Sequence, residues 1–286
     1  MAEGHIAELV YVEREDGLGL EGAMMHPQGS ETRKKVAILW FHGNTSRFYD
    51  LPYIHLGREL AEGHGYAFIT CNTHGHDVTS VIWGPAGEAT PGGACWERFD
   101  EVPLDIAPWI ALALEKGFAG VVLAGHSFGA NKVVYYAAHT QDERVIGVIA
   151  ASPDVKWKAE PERVQEAERM VADGQGSDLT TLVEGNPSWY RLSAQTLLAR
   201  ARIAAHVFSS ATQEPYVASV SCPLLAFFGT NEAWLGGETD LEMIRRNSSN
   251  APRVDTRLIE GADHVYWGKA KETAALIAGW VDTLGA

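Results

Sequence analysis

Residues 120–129 read Gly-Val-Val-Leu-Ala-Gly-His-Ser-Phe-Gly, and a helix-like stretch, 129–140, follows at once. An unbroken apolar run at 120–125, closed by glycine, predicts a strand buried on both faces. Residues 125–129 then match G-x-S-x-G, a pattern that becomes specific when it lies between a strand and a helix. The chain must bend so sharply at the serine that side chains two residues to either side would collide, and Gly125 and Gly129 remove them. Ser127 is therefore expected to project from the sheet edge beside a helix N-terminus, whose partial positive charge favours a developing anion. The plainer reading is a glycine-rich turn closed by a helix-capping serine; the rest of the chain weighs against it.

The same kind of buried-strand signal recurs at 36–41 (VAILWF), 66–71, 145–151 and 223–229, and a further strand is predicted at 253–259. Helices are predicted at 50–63, 100–117, 129–140, 238–247 and 269–284. Asp100 is placed to cap the second of these, Pro103 falls in its first turn and Pro108 predicts a kink or a later start. Two apolar-rich runs at 6–13 and 18–25 flank Glu15-Asp16-Gly17, a hairpin signal. Strands alternating with helices predict an α/β fold with a mostly parallel sheet, which binds ligands at the carboxyl ends of its strands. Two segments break the alternation. Residues 72–99, rich in Gly, Pro, Thr and His, read as a long loop, and loops of that length are usually functional or mobile. Residues 155–222 carry helical segments, clearest at 160–173 and 193–206, without a buried-strand run. They read as a helical insertion into a core domain made of 1–154 and 223–286. No internal repeat is evident.

Composition narrows the function classes. The chain has 286 residues, 46% of them hydrophobic, enough for a sizeable core. A formal net charge of −14 repels phosphate backbones and anionic bilayers, so neither nucleic acid nor a membrane is the expected partner. Cys71, Cys95 and Cys222 form no CxxC pair and are odd in number, and the first residues show no basic segment followed by an apolar one. Reduced thiols and a cytoplasmic location are the simplest expectation. A homodimer is left open.

A serine hydroxyl is a poor nucleophile until a neighbouring base takes its proton. His264 is the candidate base, lying in Gly261-Ala262-Asp263-His264 between the last strand and the last helix. A carboxylate must fix its tautomer and stabilise the imidazolium. Glu232, in Gly229-Thr230-Asn231-Glu232, follows the strand at 223–229, and the order Ser, acid, His suits this kind of fold. A solvated loop charge is the ordinary alternative for Glu232. Asp154, at the end of the strand before the insertion, is the competing acid, whereas Asp263 is too near His264 in sequence to reach its far nitrogen. Acyl transfer also needs two preorganised N–H donors for the carbonyl oxygen. One is expected from Phe128, the other from His42-Gly43-Asn44-Thr45, with the Asn44 amide favoured and Thr45 the alternative.

With these motifs in place, the chain resembles the α/β-hydrolase superfamily. The likeness rests on the strand ending in His42-Gly43, the GHSFG turn, Gly-Thr-Asn-Glu after a late strand and Gly-Ala-Asp-His before the last helix, and covers roughly 36–154 and 223–284. It implies an eight-stranded, mostly parallel sheet with a cap inserted after the sixth strand, the slot that 155–222 occupies. Two departures stand out: Glu232 where the pattern usually has aspartate, and Asn72-Thr73-His74-Gly75-His76-Asp77 where many relatives carry arginine before the glycine. More loosely, the chain is similar to the branch that includes fungal siderophore esterases.

The expected activity is hydrolysis of a carboxylic ester or related acyl bond, on a small acyl substrate, with no cofactor. Acyltransferase, thioesterase or lyase chemistry on the same residues is one alternative. A non-catalytic small-molecule binder is another, against which the intact Ser, His and acid argue. His74, His76 and Asp77 lack an obvious third or fourth metal ligand, so no metal site is expected. Glu97 is a candidate acid or substrate contact and Cys95 a candidate thiol, with little local support. His42, Trp83, Trp96, Trp189, Trp234 and Trp267 are candidate pocket residues, and large aromatics in a cleft favour apolar or aromatic acyl groups. Ordinary packing would explain the tryptophans equally well.

Overall fold

A computed structural model describes residues 6–27, 34–181 and 191–285. Strands β1 (Glu8–Glu13) and β2 (Gly19–Met25) pair antiparallel around the expected Asp16-Gly17 turn, with Glu13 opposite Gly19. There follow β3 (Val36–Phe41), α1 (Leu51–Arg58), β4 (Ala67–Cys71), β5 (Ser80–Trp83), β6 (Ala89–Gly92) and α2 (Val102–Glu115). The elbow segment gives β7 (Gly120–His126) and α3 (Phe128–Thr140). Beyond it come β8 (Val145–Ala151), α4 (Pro161–Ala172), α5 (Ala194–Arg202), β9 (Leu224–Gly229), α6 (Glu238–Asn247), β10 (Val254–Ile259) and α7 (Ala270–Asp282).

Eight strands form one sheet in the order β1-β2-β4-β3-β7-β8-β9-β10. The β1/β2 and β2/β4 pairs are antiparallel; every other neighbouring pair is parallel. The continuous apolar runs are explained by burial on two sides. In β3, Ala37, Leu39 and Phe41 join a core with α2 and α3 residues, while Val36, Ile38 and Trp40 join one with α1 and α7 residues. That alternation is the period-2 geometry of a strand covered on both faces. Buried Arg14, just after β1, donates to Asp105 of α2 at 2.9 Å and to Glu101 at 2.9 Å, fastening the hairpin to the first face. No helix among the described residues is long and apolar enough to cross a membrane.

Two expectations need revision. Residues 72–99 are not all loop: β5 and β6 pair into a separate two-stranded hairpin. Strands of four residues, one of them Ala-Thr-Pro-Gly, carry too little apolar alternation to be read from sequence. Within 155–222 the packing divides between two clusters. Helices α4 and α5 enclose a small cluster of their own with Ala167, Leu192, Ala194, Leu197 and Leu198. Val207, Phe208, Val217 and Val220, in the tight turns after α5, instead join the main core. The predicted helix at 193–206 ends at Arg202 and finishes as a separate 3₁₀ turn over Ala204–His206.

Candidate active site

Ser127 is the hinge between β7 and α3, with φ 55° and ψ −124°. An L-residue in the left-handed half of backbone space is strained, and such strain persists only where the surroundings enforce it. Here they do. A Cβ on Gly129 would come within 2.3 Å of the Phe41 carbonyl oxygen and 2.5 Å of the His42 carbonyl oxygen, so the turn closes only with glycine there. A Cβ on Gly43 would stand 3.1 Å from the Ser127 Cβ, which measures how closely the loop after β3 approaches the serine. Among the described residues, six other than glycine have positive φ, and four of them, Thr45, Ser127, Ser152 and Tyr266, lie in the loops of this site.

His264 reaches the same strand ends from the loop after β10. Its Nδ1 lies 2.8 Å from Glu232 Oε2, and the imidazole is a quarter exposed against a fully buried carboxylate. Glu232 is held from its other oxygen. Oε1 accepts the Ser152 hydroxyl at 2.5 Å and the Gly229 amide, three residues back in the same turn. With its single proton committed to the carboxylate, Ser152 accepts from the Tyr266 hydroxyl, its other close partner. Burial holds the Tyr266 phenol well above its usual pKa, so it remains a donor. Glutamate thus fits this position because its longer arm curls back onto its own turn. Ser152, in Ala151-Ser152-Pro153-Asp154, and Tyr266 carried no readable signal, since their roles exist only where three loops meet.

The competing acid is elsewhere engaged. Asp154 accepts from the Lys156 and Trp157 amides and exchanges backbone bonds with the Asn131 side chain. Asp263 accepts from the Val265 and Trp267 amides in its own turn. The carboxylate that meets the His264 imidazole is Glu232.

His126, the second residue of the GHSFG motif, connects the loops. Its Nε2 donates to the His264 carbonyl at 2.6 Å, its Nδ1 accepts from the Tyr53 hydroxyl at 2.8 Å, and Tyr53 accepts the Gly43 amide at 3.2 Å. One chain of hydrogen bonds therefore spans the loop after β3, the elbow and the backbone of His264. His42 works in the same way and is not a pocket wall, contrary to the expectation. It is 1% exposed, its Nδ1 donates to the Gly43 carbonyl at 2.8 Å and its Nε2 accepts the Thr73 amide at 3.2 Å. Since C=O and N–H of a trans peptide point opposite ways, fixing the Gly43 carbonyl inward turns the Asn44 amide the other way. The Phe128 amide, in the first turn of α3, has no intrahelical acceptor. The Phe128 amide is thus the one next along the chain from Ser127, and the Asn44 amide lies in the loop whose Gly43 approaches the Ser127 Cβ.

Burial pushes both rings far down, to about 3 for His42 and about 3 for His126; for His126 the neighbouring His264 adds to the effect. An unfolded histidine titrates near 6.5, so below that pH the unfolded chain takes up two protons that the folded chain refuses. Stability from these groups is complete above 6.5 and is lost as pH falls from there toward 3. The limiting slope is about 1.4 kcal/mol per pH unit for each histidine. Between pH 7.5 and 5.0 these two histidines are expected to lower the Tm, and His126→Gln is expected to reduce that loss. His74, held above the usual range by Asp105, acts in the opposite sense, so the decisive comparison is with the variant: an equal change of Tm with pH in wild type and His126→Gln would contradict the burial of a neutral His126 imidazole.

Beneath the loops lies a second buried group. Glu97, 1% exposed, pairs with the Lys132 ammonium of α3 and, at 3.4 Å, with the Arg200 guanidinium of α5. Burial alone would raise the Glu97 pKa, but the two cations outweigh it and hold it at about 2. Glu97 is therefore an ion-pair anchor and not a proton donor. His74 pairs with Asp105 at 2.7 Å and His76 with Asp77 at 2.8 Å; among the described residues no cluster has three metal-ligating side chains. The Cys95 thiol is 1% exposed and pushed up by burial.

The tryptophans separate. Trp234 is 71% exposed and stands edge-on to His264, centroids 5.7 Å apart. Trp267, also exposed, lies against His55. Trp96 donates to the Ser177 carbonyl at 2.9 Å, tying 72–99 to the insertion, and Trp83 is exposed on β5. Trp189 lies outside the described residues.

Residues 38–276 match the alpha/beta hydrolase family, and the chain belongs to it. No curated protein matches it in sequence. Among solved structures it is similar to a soluble variant of monoglyceride lipase from Saccharomyces cerevisiae in complex with a substrate analogue. That match has a TM-score of 0.70 and 16% identity, and covers 99% of this chain and 97% of the other. It is also similar to Est1E from Butyrivibrio proteoclasticus with bound ferulic acid (TM-score 0.68, 16% identity, 96% and 98% covered). A third likeness is the esterase domain of a Rhodothermus marinus protein (TM-score 0.59, 18% identity, 96% and 97% covered). The fold is that of esterases and lipases.

Proposed function

We propose that the protein is a serine carboxylesterase acting on a small acyl substrate with an apolar or aromatic group. The observation that carries this reading is the buried Glu232 carboxylate 2.8 Å from His264 Nδ1, at the sheet edge where Ser127 is held in a left-handed turn. With Nδ1 committed to the carboxylate, Nε2 is the nitrogen left to take the Ser127 proton. The serine oxygen attacks the ester carbonyl, and the Phe128 and Asn44 amides take the oxyanion charge. Collapse expels the alcohol, protonated by His264, and leaves an acyl group on Ser127. His264 then deprotonates water, which releases the acid and restores the serine. Trp234 beside His264 gives a leaving or acyl group an apolar face, in keeping with the ferulic acid bound to Est1E.

The test is a fluorophosphonate probe followed by peptide mapping, alongside p-nitrophenyl esters of graded chain length and aromaticity. The expected result is one label, on Ser127, and turnover that favours the larger apolar acyl groups. An unlabelled chain that turns over none of the esters would refute the assignment.

A further inference from the structure

From the insertion, the buried side chain of Arg200 reaches the loops of the site. Arg200 sits on α5 and is 2% exposed. Two positions on, Arg202 shows the ordinary case: its side chain is 65% exposed, 3.5 Å from Glu168. The Arg200 Nη2 group lies 3.1 Å from Asn44 Oδ1, 3.1 Å from the Ala94 carbonyl and 3.4 Å from Glu97 Oε2. Its guanidinium carbon is 4.5 Å from the centre of the Phe128 ring. Phe128 directly follows the serine, and Asn44 follows Gly43, whose loop closes on it; they are the residues proposed to supply the two oxyanion amides, on separate loops, after β7 and after β3. One planar cation from a third segment engages both.

We propose that Arg200 is a positioning residue for the oxyanion pocket, setting the two amides by holding the Asn44 side chain and the Phe128 ring together. The inference rests on the hydrolase reading above. A guanidinium is suited to this, since it can donate in its plane and stack on a ring through its face. Glu97 and the Ala94 carbonyl fix the guanidinium, and Lys132 holds Glu97 from the far side. Of the three buried charges two are positive, so the cluster presents a net positive charge toward a region where negative charge develops. The α5 helix is itself fastened to the 72–99 segment by the Ser193 amide donating to the Cys95 carbonyl at 2.8 Å. Arg200 thus links the position of the insertion to the two loops that carry the proposed donors.

The experiment is a double-mutant cycle on the full chain with a p-nitrophenyl ester, rates being expressed per active site titrated with a fluorophosphonate. Arg200→Met is expected to lower kcat about 10- to 100-fold, less than or equal to deleting a donor outright, with KM within about twofold. Arg200→Lys, which keeps the charge but not the fork, falls between. Asn44→Ala keeps the amide but loses the held side chain and lowers kcat similarly. The double variant is expected to be no slower than the slower single, the non-additivity of groups acting through one another. If Arg200→Met does not fold, the cycle is run with Arg200→Lys. Unchanged kcat per site, a loss confined to KM, or losses that multiply would each overturn the inference while leaving the esterase reading intact. A wild-type chain that neither labels nor turns over would overturn both.

Discussion

Ser127→Ala is expected to reduce ester turnover on the order of 10⁶-fold in kcat, the loss seen when a triad serine is removed and only the oxyanion donors and binding remain. Folding should be kept. Ser127 is partly exposed, and the bonds that fix it run through its backbone: its amide donates to the Ala151 carbonyl at 2.8 Å and its own carbonyl accepts the Ala130 amide at 2.9 Å. Alanine preserves both and tolerates the left-handed turn no worse than serine. The measurement is burst and steady-state release of p-nitrophenol, with circular dichroism and Tm as controls for folding. Near-native turnover by a folded Ser127→Ala protein would remove the serine from the chemistry.

Glu232→Gln is expected to cost about 10⁴-fold in kcat with little change in KM, because it sets the wrong histidine tautomer. The geometry dictates how the amide must sit. Oε1 accepts both the Gly229 amide and the Ser152 hydroxyl, so the corresponding atom in glutamine has to be the carbonyl oxygen. The NH₂ group is then left at the Oε2 position, facing His264 Nδ1. A donor there forces Nδ1 to accept and places the ring proton on Nε2, which can no longer take one from Ser127. Asp154→Asn, by contrast, alters a carboxylate engaged with the Lys156 and Trp157 amides and should leave kcat within a few-fold of wild type. Equal losses in the two variants would place the acid wrongly.

The elements of the sheet were legible because burial on both faces writes itself as unbroken apolar runs, as at Val36–Phe41 and Val145–Ala151. The α6 helix, Glu238–Asn247, appears with the bounds its pattern predicts, since its apolar positions Leu241 and Ile244 recur at helical spacing. The β5/β6 hairpin was illegible: its short strands are held by their register and by packing, not by local preference. Of the site, Ser127, His264 and Glu232 could be picked out by their places after strands. Ser152, Tyr53, Tyr266 and Arg200 could not, because nothing local distinguishes a serine before a proline, two tyrosines or an arginine in a polar helix from structural residues.

The alternation of strands and helices, the glycine-flanked turn at Ser127 and the order in which serine, carboxylate and histidine follow strand ends are written in the amino-acid order. These are local properties, fixed by hydrophobic period and by the steric freedom of glycine. That Glu232 and not Asp154 meets His264, that His42 braces the Gly43 carbonyl, and that Arg200 lies on Asn44 and Phe128 emerge from the packing of the loops. The Glu232–His264, His42–Thr73 and Arg200–Asn44 hydrogen bonds behind those outcomes join groups 31 to 156 residues apart. Their directions exist only once the sheet has set the distances between its loops.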